Sequence, residues 1–277
     1  MAAVLEAPRV VRLEAVAPPQ PVDGEVLVEI EGCGVCASSL PVWEGRPWFD
    51  YPLPPGAPGH EAWGRTDDGG RVAFLTQHGF AAVAAVDART LVPLPRELDG
   101  LPFPGEALAC AVNVFARAGV LAGQRVAIVG MGFMGSAIAQ LCEAAGAEVV
   151  ALRRGDDVGG LACERVIETG GVQATLDLAS AAVGERGRLV IAGFHQDGPR
   201  TVDLQSWNWR GLDVVNAHER EPSRYVEGIR EAVRLAAAGV LDLERLITHR
   251  FPLARLADAF EMARTRPKGF VKAWVTP

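Results

Sequence analysis

A glycine-rich turn near the middle of the chain has the residue types and spacing of a phosphate-binding site. An apolar run with strand character leads into Gly130, Gly132 and Gly135, and a stretch of helical spacing follows. In that setting the first glycine allows a tight turn, the second lets backbone approach a pyrophosphate, and the third lets helix pack on strand. The helix N-terminus presents N–H groups and the positive end of its dipole to the phosphates. The flanking strand and helix favour this interpretation over a plain glycine turn.

A second group of reactive side chains lies in the first quarter of the chain. Cys36 and Ser38 follow a strand of alternating apolar and charged residues, and His60 follows a Pro-Gly pair. A thiolate and an imidazole suit Zn²⁺, and a catalytic zinc site keeps one position open for water or a substrate oxygen. Cys33 and Cys36 also form a C-x-x-C, which allows a redox pair. That motif normally opens a helix in a thioredoxin-like fold, so the redox interpretation is the less favoured one here.

The pattern of elements predicts an α/β protein with two lobes. Alternation of apolar and charged residues over 25–31, with dense proline and glycine over 41–70, is typical of a compact, mostly β lobe. After residue 105, stretches of helical spacing alternate with short apolar strands. That alternation predicts a doubly wound parallel sheet.

Composition indicates an acidic globular chain. Its 277 residues are 49% hydrophobic and 22% charged, with a formal net charge of −7. An acidic surface attracts neither nucleic acid nor an anionic membrane, so neither is expected as a partner. No apolar run approaches the roughly 20 residues that span a bilayer, and no secretory apolar segment opens the chain. Five cysteines do not make a disulfide framework in a chain of this size, which predicts a reducing cytoplasm.

The order and spacing of these motifs resemble the zinc-containing medium-chain dehydrogenase/reductase, or alcohol dehydrogenase-like, family. The likeness covers nearly the whole chain and includes the Gly-Glu-Ala-Leu-Ala-Cys run at 105–110 and the segment 246–253. It implies a GroES-like β-rich catalytic domain over 1–112 and 249–277, and a Rossmann domain over 113–248. It also implies an NADP(H)-dependent, zinc-assisted oxidoreductase that transfers hydride between nicotinamide and a small alcohol or ketone.

The resemblance further implies one catalytic zinc, held by Cys36, His60 and Glu106. The third ligand has alternatives. Glu61 is a neighbouring carboxylate that enters the metal shell in some members of the family. Cys110 lies one helical turn beyond Glu106 and could face the same way.

The two serines after Cys36 carry different implications. Ser38 matches the family's hydroxyl that passes a proton between the substrate oxygen and solvent; an exposed loop serine is the alternative. Ser39 stands where the family usually has an aspartate that orients the metal ligands. Loss of such a partner typically costs about 10–100-fold in metal affinity or activity. The four-cysteine cluster of a structural zinc is absent from the sequence, so one zinc at most is expected.

The end of the second strand of the nucleotide-binding domain indicates which nicotinamide is bound. NAD enzymes have an acidic residue there for the ribose 2′-hydroxyl, whereas this chain has two arginines, which favour a 2′-phosphate. NADP(H) is therefore predicted over NAD(H), with solvated arginines as the alternative. His195, at the carboxyl end of a later strand, is expected near the cofactor. The residues predicted to contact the cofactor are Gly130, Gly132, Phe133, Met134, Gly135, Arg153, Arg154, Gly193 and Lys268.

Three aromatic residues follow the cysteine loop, where the family lines its substrate site: Trp43, Trp48 and Phe49. They suggest a cyclic or apolar substrate, although core packing explains them equally well. An exposed strand of the Rossmann sheet is a pairing surface in this family, which suggests a homodimer.

The predicted nucleotide-binding domain is shorter than the family pattern. After Arg154 the family continues with helix, strand and helix, but here one short run leads directly to the next strand at 164–169. The missing strand is the third in a 3-2-1-4-5-6 order, an edge position, so its loss need not break the core. Three alternative functions are therefore open: a zinc-independent reductase, a non-redox lyase, and a catalytically silent relative that binds a nucleotide.

Overall fold

Short strands and turns dominate the first part of the chain, and longer helices separate the strands after residue 105, in a computed structural model that describes residues 1–277. The strands are β1 (Ala2–Ala7), β2 (Val10–Glu14), β3 (Glu25–Gly34), β4 (Glu61–Thr66), β5 (Arg71–Ala73), β6 (Val83–Asp87), β7 (Val92–Pro93), β8 (Arg125–Val129), β9 (Glu148–Leu152), β10 (Cys163–Glu168), β11 (Val183–Ile191), β12 (Asp213–Asn216), β13 (His249–Pro252) and β14 (Ala273–Thr276). The α-helices are α1 (Leu40–Glu44), α2 (Gly105–Ala118), α3 (Phe133–Ala144), α4 (Gln173–Ala182), α5 (Leu204–Trp209), α6 (Pro222–Ala237), α7 (Leu243–Leu246) and α8 (Leu256–Thr265). None of them has the length and apolarity that crossing a membrane requires.

The chain divides into two units at positions that differ in part from the predicted ones. The first unit comprises Met1–Ala109 and Glu221–Pro277, and the second comprises Cys110–Arg220. The sequence predicted a return to the first unit at residue 249, so the structure moves that boundary to the start of α6. The contacts of α6 explain the difference, because this helix packs against β7 and against the 3-10 turns at Ala88–Thr90 and Arg96–Leu98.

The first unit is built around β3, the longest strand. The first half of β3 pairs with β6, its second half pairs with β14, and β4 runs antiparallel along its other edge in a seven-stranded sheet. Gly34, at the end of β3, lies in register with Glu61 of β4 and Trp274 of β14. This register brings the end of β3 next to the beginnings of β4 and β14. The seven-stranded sheet confirms the prediction of a β-rich lobe.

The core of the first unit contains one of the predicted substrate residues. Trp43 of α1 is only 1% exposed and stacks on Phe260 of α8, with ring centroids 4.9 Å apart and an interplanar angle of 9°. Its indole Nε1 donates a hydrogen bond to Glu261 at 2.9 Å. The structure therefore places Trp43 in the core, as the packing alternative has it, and the ring joins α1 to α8.

The second unit is a five-stranded, fully parallel sheet with the order β12-β11-β10-β8-β9. This is the predicted order with the third strand missing, which leaves β9 at one edge and β12 at the other. The short run that replaces the missing unit contributes Val158 and Leu161 to the sheet's apolar core. Two apolar side chains therefore pack against the core of this domain in the segment where the family pattern has a helix, a strand and a second helix.

Arg71 is a buried charge that fastens an irregular segment to the first sheet. Its side chain is 5% exposed and pairs with Glu31 at 2.6 Å, while its other guanidinium nitrogens donate to the carbonyls of Leu98 and Leu101. Arg65 pairs with the same Glu31 at 2.7 Å, but 45% of its side chain is exposed. The two arginines differ mainly in burial, which makes them a natural comparison.

Replacing Arg71 with methionine should lower the free energy of unfolding by about 2–3 kcal/mol, because the carbonyls of Leu98 and Leu101 lose their donor while Glu31 keeps Arg65 as a partner. Arg65→Met, the matched control, should cost at most about 1 kcal/mol, since solvent screens that pair. Urea unfolding followed by circular dichroism measures both values. Equal losses for the two variants would contradict this account of Arg71.

Candidate metal centre and dinucleotide site

Three side chains that could hold a metal ion converge where β3 ends and β4 begins. Cys36 lies just beyond β3, Glu61 is the first residue of β4, and His60 immediately precedes it. The sulfur of Cys36, a ring nitrogen of His60 and a carboxylate oxygen of Glu61 all lie within 4.8 Å of one another. The antiparallel pairing of β3 with β4 produces this cluster, since it sets Gly34 opposite Glu61.

Hydrogen bonds around His60 leave one ring nitrogen available to a metal. The carbonyl of Pro58 lies 2.9 Å from Nδ1, and because a carbonyl can only accept, Nδ1 carries a proton. Nε2 of the neutral ring therefore has the lone pair, and it lies 3.5 Å from the hydroxyl of Ser38. That hydroxyl also donates to the sulfur of Cys36 at 3.1 Å. The backbone carbonyl of Pro58 thus orients the imidazole.

The electrostatics of the cluster favour a cation. Burial on its own would lower the pKa of His60, but hydrogen bonding and charge from Cys36, with the charges of Glu106 and Glu61, raise it to about 10. A positive charge at the imidazole is therefore strongly stabilised by its surroundings. Thiolate, imidazole and carboxylate together are a donor set that Zn²⁺ prefers, so the residues present fit this metal.

A buried ion pair lies behind the cluster. Nζ of Lys272 is 2.8 Å from each carboxylate oxygen of Glu61 and hydrogen-bonds to Oε1, while the buried Oε2 accepts no hydrogen bond. Burial lowers the pKa of Lys272, but the charges of Glu61 and Cys36 outweigh it and raise the pKa overall. Gly34 makes room for the carboxylate, because a Cβ there would lie 2.0 Å from Oε2. Lys272 was not predicted as a site residue from the sequence, although a lysine beside an apolar strand is a signal of such a pair.

The other residues predicted to lie near the candidate metal centre have distinct positions. Glu106 lies half-buried in the first turn of α2, and its charge raises the pKa of both His60 and Lys272. Cys110 falls in the second unit. Cys33 is fully buried, and burial followed by the charge of Glu61 raises the pKa of its thiol well above the usual value. A buried neutral thiol is a poor nucleophile, which counts against the redox interpretation of the C-x-x-C.

The remaining predicted residues of the first unit lie at its surface. Trp48 is 55% exposed, and Phe49 is half-buried against the core with its ring centroid 6.0 Å from that of Trp48. Lys268 is exposed in the turn before β14. The basic residue of this segment that the fold brings into a site is Lys272, four positions further along.

The glycine-rich turn of the second unit has the geometry that its sequence predicted. Gly130 has φ +101°, a left-handed conformation that glycine adopts without strain. Gly132 is the N-cap of α3, and Phe133 and Met134 form the start of that helix. A Cβ on Gly135 would lie 1.9 Å from the carbonyl oxygen of Gly130, so only glycine permits this close approach of helix to turn.

The predicted cofactor residues outside the turn lie at the carboxyl ends of neighbouring strands. Arg153 and Arg154 follow β9 and are both exposed, and the backbone N–H of Arg153 donates to Asp156 at 2.8 Å. Gly193 follows β11, where a Cβ would lie 2.3 Å from the backbone nitrogen of Gly171. Open α/β sheets bind ligands along this edge.

No model of a known protein family matches the chain. Curated relatives do match it. The 2-dehydro-3-deoxy-L-galactonate 5-dehydrogenase of Pseudoalteromonas atlantica is 26% identical over 225 residues, which cover 70% of this chain and 64% of that enzyme. The L-galactonate-5-dehydrogenase of Escherichia coli is 22% identical over an alignment of 329 positions, which covers 93% of each protein.

Solved structures share the whole fold. A zinc-binding dehydrogenase from Sinorhizobium meliloti bound to NADP superposes with a TM-score of 0.85 at 24% identity, over 100% of this chain and 98% of that one. An alcohol dehydrogenase from Escherichia coli complexed with NADH gives the same TM-score at 19% identity, with the same coverage. The fold is therefore a GroES-like lobe with a Rossmann domain, and the relatives are dehydrogenases. The chain is an enzyme, an oxidoreductase similar to the medium-chain alcohol dehydrogenases.

Gly135→Ala should abolish dinucleotide binding, because the new methyl group would push α3 away from the turn that is predicted to hold the phosphates. Ser136→Ala, one residue further along the same helix, should leave binding within about twofold, since it only removes a hydroxyl. Fluorescence titration with NADPH and NADH measures both variants. Tight binding by Gly135→Ala would show that the phosphates lie elsewhere.

Proposed function

We propose that the protein is an NADP(H)-dependent, zinc-assisted alcohol/carbonyl oxidoreductase. The single observation on which the proposal depends is the convergence of Cys36, His60 and Glu61, whose donor atoms lie within 4.8 Å of one another. The names of the curated relatives, all dehydrogenases, supply the reaction class. The glycine-rich turn supplies the dinucleotide site in the second unit.

In this proposal Cys36, His60 and Glu106 hold one zinc ion. The negative charge of Glu106, which acts on both His60 and Lys272, supports its place as the third ligand. Glu61 is the alternative, but its carboxylate is already paired with Lys272 at 2.8 Å. Zinc there would polarise a carbonyl or lower the pKa of an alcohol, while nicotinamide supplies or accepts the hydride.

Ser38 is proposed to move the proton. Its hydroxyl lies 3.1 Å from the sulfur of Cys36 and 3.5 Å from Nε2 of His60, so it stands beside the donor atoms and is half-buried. A hydroxyl both donates and accepts, which lets it pass a proton between a substrate oxygen and solvent. Ser38 would therefore act on substrate without binding the metal.

The preference for NADP(H) is proposed from Arg153 and Arg154. Both are exposed at the end of β9, where their guanidinium groups can reach a 2′-phosphate. The similar structures include one with NADP and one with NADH, so likeness of fold alone does not select the cofactor.

The relatives narrow the proposed substrate. Their names specify galactonate derivatives and sorbitol, so we propose a secondary alcohol or ketone of a polyol or sugar acid. Burial of Trp43 removes part of the argument for a purely apolar substrate. Five free cysteines support action in a reducing cytoplasm.

We also propose a homodimer that pairs along β12. This strand is an open edge of the second unit's sheet, and Trp209, just before it, is 89% exposed. An edge strand can pair with its own copy, and a large exposed apolar ring beside it would be buried by that pairing. Light scattering at micromolar concentration measures the mass, and a monomer would contradict the proposal.

Cys36→Ala should lose bound zinc and turnover together and still fold, because the side chain is only half-buried. Cys33→Ala is the matched control and should retain zinc, since the sulfur of Cys33 is not one of the three donor atoms that converge. Elemental analysis, circular dichroism and NADPH oxidation with a carbonyl panel provide the three readouts. Full activity in zinc-free wild-type protein would favour the zinc-independent reductase, and tight cofactor binding without any turnover would favour the silent relative.

Replacing Arg153 and Arg154 together with alanine should weaken NADPH binding by about 10–100-fold, the equivalent of one or two charge-assisted hydrogen bonds. NADH binding should change less than about threefold, because it has no 2′-phosphate for these arginines to contact. Arg125→Ala is a suitable control, an exposed arginine at the opposite end of the sheet that pairs with Glu148 at 3.3 Å. Parallel titrations with NADPH and NADH measure the dissociation constants. Equal weakening of both would overturn the assignment of Arg153 and Arg154 to the 2′-phosphate.

A further inference from the structure

A buried carboxylate joins two loops at the carboxyl edge of the second unit's sheet. Glu168, the last residue of β10, has no exposed surface. Its Oε1 accepts hydrogen bonds from the backbone of Gly170 at 2.8 Å and Gly171 at 2.7 Å, and from the hydroxyl of Thr175 at 2.6 Å. Its Oε2 accepts from Nε2 of His195 at 3.0 Å. One side chain thus holds the loop after β10 and reaches the loop after β11.

The protonation of His195 follows from its two partners. Nε of Arg200 lies 2.9 Å from Nδ1 of the imidazole, and arginine can only donate. Nδ1 must therefore be an acceptor, so the ring is neutral and carries its proton on Nε2, where Glu168 accepts it. Arg200 in turn donates to the carbonyl of Gly171 at 3.0 Å and pairs with Asp197. Hydrogen bonds therefore run from Glu168 through His195 to Arg200, and Arg200 is itself held by Gly171 and Asp197.

The two loops also touch through their backbones. A Cβ on Gly193 would lie 2.3 Å from the nitrogen of Gly171, and a Cβ on Gly171 would lie 2.8 Å from the carbonyl oxygen of Phe194. Phe194 is 56% exposed, with its ring stacked on His218 at 5.8 Å and 16°. The network therefore fixes where an exposed aromatic ring stands at the ligand-binding edge of the sheet.

Strand order shows which half of a dinucleotide this loop would meet. The pyrophosphate belongs at the turn after the first strand, β8, and the two nucleoside halves extend to either side. The arginines after β9 lie on one side of β8, where the adenosine half is proposed to bind. On the other side come β10 and then β11, whose loop contains Phe194 and His195.

We propose that His195 is a positioning residue for the nicotinamide half of the cofactor, acting through Glu168 and Arg200 to hold the loop after β11. The proposal rests on the proposed dinucleotide function. It does not require His195 to touch the reacting atoms. The bond to Glu168 and the bond from Arg200 should both be necessary, because each fixes one end of the ring.

Two variants of His195 separate positioning from general destabilisation. His195→Leu removes both hydrogen bonds. His195→Gln can keep both, because its amide nitrogen can donate to Glu168 and its amide oxygen can accept from Arg200. Arg200→Met keeps the bond between His195 and Glu168 but removes the bond to Nδ1, together with the contacts of Arg200 to Gly171 and Asp197. It serves if His195→Leu does not fold.

The decisive comparison is between the complete cofactor and a fragment without nicotinamide. Wild type, His195→Leu and His195→Gln are titrated calorimetrically with NADPH and with 2′-phospho-ADP-ribose. We expect His195→Leu, or Arg200→Met in its place, to weaken NADPH by about tenfold, the equivalent of one lost hydrogen bond, and the fragment by less than about twofold. His195→Gln should restore NADPH binding to within about threefold of wild type.

The possible outcomes distinguish failure of the positioning role of His195 from failure of the proposed dinucleotide function. Equal weakening of NADPH and fragment in His195→Leu would mean a structural role only and would overturn the positioning proposal while leaving the dinucleotide site intact. Failure of His195→Gln to restore NADPH binding would also overturn it. If wild-type protein bound neither ligand, the dinucleotide function itself would be wrong.

Discussion

The buried pair of Glu61 and Lys272 is the interaction on which the candidate metal centre depends. It connects the first residue of β4 to the residue just before β14, across the end of β3, where Gly34 leaves room for the carboxylate. A buried pair of this kind adds little net stability over an apolar packing, but removing one partner leaves an isolated charge and is costly, by about 3–5 kcal/mol. What the pair provides is position: it holds Glu61 against the strands that also place Cys36 and His60.

In the second unit, too, buried polar side chains hold the chain in position, here at the carboxyl edge of the parallel sheet. There the loops after consecutive parallel strands are held by side chains at the strand ends. Thr169 donates to the carbonyl of Gly130 at 2.7 Å, and Glu168 holds the next two loops. These bonds lie on the β8, β10 and β11 side of the sheet, away from the missing third strand. The glycine-rich turn after β8 therefore keeps its geometry although the sheet lacks one strand, because β8 still has a neighbouring strand on each side.

Local patterns in the sequence were sufficient to predict much of this architecture. The glycine spacing predicted the turn, since Gly130 adopts a left-handed conformation and a Cβ on Gly135 would collide with the carbonyl oxygen of Gly130. The absence of a helix-strand-helix unit after Arg154 predicted an edge strand at β9, and the structure confirms it. The convergence of Cys36 with His60 was predicted only through family resemblance, because the register of β3 with β4 cannot be read from either strand alone.

Other features required the fold itself. The boundary after α6 was misplaced because an amphipathic helix does not reveal which sheet it covers. Aromatic character suggested a substrate role for Trp43, but packing against Phe260 buries it. Lys272, Glu168 and Arg71 are charges within or beside apolar strands, and their partners are distant in sequence. A charge at such a position indicates a buried partner without identifying it.

The central claim is that the cluster at the end of β3 binds zinc through one sulfur. X-ray absorption at the zinc K-edge of zinc-loaded protein tests this directly. The account predicts one Zn–S distance of about 2.3 Å from Cys36, with nitrogen and oxygen ligands at about 2.0–2.2 Å from His60 and a carboxylate. Zinc with no sulfur ligand, or with two sulfurs, would contradict it.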